Sequence, residues 1–71
     1  MKKVLPTDYF TKLELSEDLN VVLNANGIKK ISEILVLTVG EWHLLEGFNY
    51  RHQIELIDVI NKHGWKDFLL E

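Results

Sequence analysis

The sequence predicts an all-α fold: a compact bundle of four short helices with a helix-hairpin-helix, preceded by an extended N-terminal arm. Three observations predict it. Apolar residues recur at helical spacing in four separate segments. Three of those segments open on a side chain that caps helices and close at a glycine: Ser16 and Gly27, Thr38 and Gly47, Asn49 and Gly64. The run ILVL from Ile34 has strand propensity, but no second run offers it a partner strand.

One domain is expected from 71 residues: an arm over 1–15, a helical unit over 16–64 and a tail over 65–71. The arm carries the single proline, Pro6, and its Tyr9 and Phe10 are expected to pack onto the helices. The first helix is expected over 17–26. Ser16 caps it, Glu17 and Asp18 suit the positive end of its dipole, and Leu19, Val22 and Leu23 face inward. Asn26-Gly27 ends it, because glycine adopts the left-handed conformation without strain. A short second helix over 30–36 carries Ile31, Ile34 and Leu35 at i, i+3, i+4.

Thr38-x-x-Glu41 is a capping box, in which two side chains bond each other's backbone N–H. It opens a third helix over 39–46, with Val39, Trp42 and Leu45 inward. Gly47 breaks it and Asn49 caps a fourth helix over 50–62. There Leu56, Ile57, Val59 and Ile60 make a wide apolar face that also takes in Gln53. A buried amide needs partners, so Gln53 reads as a strut to the turn at Gly47 to Asn49, with ligand binding as the alternative. In the tail, Trp65, Phe68 and Leu69 are spaced to fold back and seal the core, or else to form a protruding partner-binding stripe.

The composition excludes several classes of function. With 46% hydrophobic and 27% charged residues the chain is ordinary globular material. It has no cysteine, so neither disulfides nor thiolate metal sites support it. Its net charge of -3 opposes binding DNA by bulk electrostatics, which needs clustered Lys and Arg. No apolar run approaches the ~18 residues of a membrane span, and MKKVLP is too short and polar for a signal peptide. No membrane association is expected, and a cytoplasmic location is the default. There is no glycine-rich nucleotide loop, nucleophile elbow or paired-carboxylate site, so no enzyme activity, small-molecule substrate or cofactor is expected. His52 and His63 stand about 16 Å apart along one helix, too far to share a metal.

What remains is the hairpin EGFNYRHQ. Its turn aims the free N–H groups at the start of the fourth helix outward, and such a helix end suits a phosphate oxygen. Asn49, Arg51 and His52 are the candidate phosphate or DNA contacts.

The ordered set LELSEDLNVVLNANGI, ISEIL, T-x-x-E-x-x-L-L and GFNYRHQIELIDVI resembles the C-terminal domain of the bacterial RNA polymerase alpha subunit. The similarity runs without gaps from Leu13 to Gly64. It implies a SAM-like helical fold and a non-catalytic part of DNA-directed RNA polymerase. It also implies contacts to promoter DNA in the minor groove and to transcription regulator proteins, with a nucleoid association in bacteria where DNA is bound.

The family's contact positions transfer unevenly. Its arginine early in the first helix is Asp18 here, its asparagine one turn later is Val21, and the small residue after that is Val22. Its hairpin glycine is Asn49 and its serine is His52, while the basic residue is kept as Arg51 and the glutamate as Glu55. A carboxylate at position 18 repels a phosphate where arginine would attract it. Asp18, Val21 and Glu55 are therefore candidates for a protein-partner surface. The alternative function is a helical protein-protein interaction module that kept the scaffold and binds no DNA.

Overall fold

Ser16 opens the first helix as its sequence context requires: its hydroxyl oxygen accepts from the Leu19 N–H at 3.2 Å. In the computed structural model, which describes residues 5–70, four α-helices follow one another. They are α1 (Glu17–Ala25), α2 (Ile31–Leu35), α3 (Val39–Trp42) and α4 (Tyr50–Lys62). There is no strand among the described residues. Residues 1–4 of the expected arm and Glu71 of the expected tail lie outside them.

The helices enclose one apolar core. Leu19 and Leu23 of α1, Ile31 and Ile34 of α2, Trp42 of α3, and Leu56 and Ile60 of α4 are its largest fully buried side chains. Each such burial favours folding by about 1.5–3 kcal/mol. Trp42 is 0% exposed, and its indole N–H donates to the Ile34 carbonyl at 3.0 Å. That bond satisfies the one polar atom of the ring and ties α3 to α2.

The ends of the helices differ from expectation by one residue in α1 and α2 and by four in α3. Beyond Trp42 the chain tightens. His43, Leu44 and Leu45 donate to Gly40, Glu41 and Trp42, three residues back. This i→i−3 pattern replaces the expected last turn of α-helix. Gly47 then takes φ +82°, a left-handed conformation that a side chain would strain.

The arm is not extended throughout, because Phe10–Lys12 form a single 3-10 turn. Phe10 enters the core, whereas Tyr9 stays half exposed with the Lys30 ammonium 5.0 Å from its ring centroid. The Phe10 N–H donates to the Lys29 carbonyl, and the Ile31 N–H donates to the Asp8 carbonyl, both at 2.9 Å. In the tail, Lys66–Phe68 form a second 3-10 turn, and Trp65, Phe68 and Leu69 pack half-buried against the core. Trp65 also stacks on His63 at 4.6 Å. The Val39 N–H donates to the Leu70 carbonyl at 3.0 Å. Each terminal segment thus satisfies the first N–H of a short helix.

The start of α2 also depends on Glu33, whose carboxylate accepts from the Lys29 and Lys30 N–H groups at 3.0 and 2.7 Å. These bonds hold its pKa below the ordinary glutamate value. A depressed carboxylate stabilises the fold above its unfolded pKa, about 4.3, and the stabilisation is lost as pH falls through the folded value. Chemical denaturation between pH 3 and 7 is therefore expected to show a shallower acid loss for Glu33→Gln than for the wild type. Identical acid limbs would exclude this role for Glu33.

Candidate functional site at the helical hairpin

The hairpin joins α3 to α4 through Gly47 and Phe48. Thr38 and Glu41 close their capping box at 3.1 and 2.8 Å. Phe48 is buried at the centre of a ring cluster. It meets Trp42 and His43 edge-on, with centroids 6.1 and 5.4 Å away, and lies tilted against His52 at 5.6 Å. Gln53 does brace the hairpin, but not through main-chain groups of the turn. Its amide oxygen accepts from the His43 ring, so a side-chain pair joins the residue that caps the end of α3 to α4.

Asn49 caps α4, and it does so with the groups expected to meet a phosphate. Its side-chain oxygen accepts from the Arg51 and His52 N–H groups at 2.9 and 3.3 Å. The Gln53 N–H is already the first helical bond, to the Asn49 carbonyl. The helix start is therefore largely satisfied from within.

His52 corrects the expectation that it assists a phosphate. It is 4% exposed and lies on the same face of α4 as Leu56, Val59 and Ile60. Its Nδ1 accepts from the Asn49 backbone N–H at 3.1 Å. That donor leaves the ring proton on Nε2, which donates to the Asp18 carboxylate at 2.7 Å. The imidazole closes both ends of its own hydrogen bonding and locks the start of α4 to α1.

Asp18 is 75% exposed in its side chain, so its outer edge still faces solvent. Glu55 is not free for a partner: its two carboxylate oxygens accept from the Ser16 N–H and the Ser16 hydroxyl, each at 2.6 Å. Glu55 thus brackets the start of α1 with charge-assisted bonds. Val21 is exposed, as its place on the helix predicts. Arg51 is exposed too, and its guanidinium has no hydrogen bond or ion pair among the described residues.

Asn26 was expected only to end α1, yet it clasps the hairpin. Its amide donates to the Glu46 carbonyl at 3.0 Å and accepts from the Glu46 N–H at 3.0 Å. It also donates to the Val22 carbonyl of its own helix at 2.8 Å. A Cβ on Gly47 would stand 3.7 Å from Val22 Cγ2, so the turn lies directly against α1.

Away from the hairpin, a cleft of about 290 Å³ lies between the arm and the end of α4, lined by Lys12, Leu13, Glu14, Val59, Lys62 and His63. It falls at the lower limit of ligand pockets, about 300–1,000 Å³. No group of three or more His, Cys, Asp or Glu among the described residues is arranged to hold a metal. No helix among them is long and apolar enough to cross a membrane. In comparisons with protein-family models, with curated proteins and with solved structures, the chain matches none.

Proposed function

We propose that this chain is a non-catalytic helical interaction domain, related in kind to the RNA polymerase alpha C-terminal domain, that works through protein contacts and not through promoter DNA. The observation that carries this reading is the Asp18–His52 bond at 2.7 Å. The resembling family would place an arginine and a serine at these two positions. Here the two departures touch each other, so the replacement serves the scaffold. What is left at the hairpin is a carboxylate where a phosphate would approach, and repulsion from it offsets the attraction of Arg51.

The exposed, unpaired Arg51 supports a second reading, in which the hairpin still makes a weak contact to the backbone of DNA. Binding of the wild type and Arg51→Ala to AT-rich duplex in low salt separates the two. The protein-contact reading expects no measurable difference between them, with both binding more weakly than the nonspecific range of about 10⁻⁴–10⁻⁶ M seen at physiological salt. Tighter binding by the wild type, reduced about threefold or more by Arg51→Ala, would overturn it in favour of DNA.

A further inference from the structure

The face of α4 turned away from the core carries an apolar centre among its charges. At about 100° per residue, Ile54 points about 180° away from the mean direction of His52, Leu56, Val59 and Ile60. It stands at the centre of the solvent side and is 53% exposed. Tyr50, one turn earlier on the same stripe, is 66% exposed. Neither residue is needed to close the core, and together they leave an apolar centre on a helix about 20 Å long.

The charges beside this centre have an order. Arg51 lies toward the start of α4 and Asp58 toward its end, seven residues apart and so on nearly the same line of the helix. Asp58 is 61% exposed in its side chain, and its bond to Lys62 at 3.3 Å is a surface pair that leaves the carboxylate accessible. A cation at one end, an anion at the other and an isoleucine midway form a self-complementary pattern. A two-fold axis through Ile54 sets two copies of α4 antiparallel. Asp58 of each then falls opposite the Tyr50–Arg51 end of the other, where it can accept from the Tyr50 hydroxyl and the Arg51 guanidinium.

We infer that the outward face of α4 is a homodimer contact, with Ile54 at its two-fold axis and reciprocal Arg51–Asp58 pairs at its ends. The occupant is a second copy of this chain, because the charge order fits its own reversal. The contact is small. One helix face buries less than the ~1,200–2,000 Å² of a standard stable interface, so the dimer forms at about 0.1–1 mM.

Sedimentation equilibrium of the full chain up to about 1 mM tests this, with circular dichroism confirming that each variant is folded. A concentration-dependent dimer is expected, and Ile54→Glu should weaken it at least tenfold. Arg51→Asp and Asp58→Arg alone should each weaken it about three- to tenfold, because each sets like charges opposite one another. An equimolar mixture of the two should recover wild-type association within about twofold, since the mixed pair restores both contacts. A monomer throughout the range, a dimer unmoved by Ile54→Glu, or a mixture no better than its components would overturn the inference.

Discussion

Trp42→Ala leaves the chain unfolded at 25 °C. The substitution removes the largest fully buried side chain and the indole bond to the Ile34 carbonyl, which keeps its bond from the Leu37 N–H. Truncating a buried tryptophan costs about 3–5 kcal/mol, and the lost indole hydrogen bond adds about 0.5–1.5 kcal/mol. A domain of this size has about 4–10 kcal/mol in total, with a core contribution rarely above about 3–5 kcal/mol. The loss is of the same size as the whole. Far-UV circular dichroism through a urea titration checks it: the wild type should show one cooperative transition, and Trp42→Ala none. Trp42→Phe keeps most of the ring but lacks the donor, so the lost bond should lower its stability by about 0.5–1.5 kcal/mol while it still folds. A wild-type midpoint for Trp42→Ala would mean that the α2–α3 packing does not depend on the indole.

His52→Ala is the next largest expected loss, about 2–4 kcal/mol. It opens a space beside Phe48 and leaves the Asn49 N–H without its acceptor. The Asp18 contact contributes the smaller part. Its carboxylate is largely in water, where such pairs are worth about 0–1 kcal/mol. Asp18→Ala should therefore cost under about 1 kcal/mol, and a double-mutant cycle isolates the coupling. Denaturant midpoints of the two single variants and the double variant measure all three quantities. If Asp18→Ala costs as much as His52→Ala, the Asp18–His52 hydrogen bond and not the packing of the buried ring locks the hairpin to α1.

The local chemistry of the helices was legible in the sequence. Asn49 and His63-Gly64 bound α4 where expected, and the Thr38-x-x-Glu41 box forms as its spacing dictates. Ser16 caps α1, although α1 ends one residue early. Contacts between distant residues left no such trace. Ser16 and Glu55 are 39 residues apart, and Asn26 and Glu46 are 20 apart. Nothing in the identity of a serine or an asparagine announces which distant group will use its second hydrogen bond.

His52 is a different case, because its signal was present. It precedes Leu56, Val59 and Ile60 by four, seven and eight residues, the spacing of a buried helix face. Its place beside Arg51 at the start of the helix suggests a phosphate contact instead. Gln53 was assigned to the apolar face and sits at its half-buried edge. Helical spacing alone places His52 inside the buried face and Gln53 one residue beyond it, at the edge.

The carbonyls of Asp8 and Leu70 set how much chain this fold requires. A boundary drawn around the helices alone would run from Ser16 to Lys62. Cutting there would release the Ile31 and Val39 N–H groups and remove Phe10, Leu13, Phe68 and Leu69 from the core. Helices of five and four residues do not persist on their own propensity, so both would open. With Leu5 also packed against the core, the contacts that hold the helices together extend from Leu5 to Leu70. A fusion, tag or excision that respects those limits keeps α2 and α3, and one that trims away Asp8 or Leu70 loses the hairpin's footing.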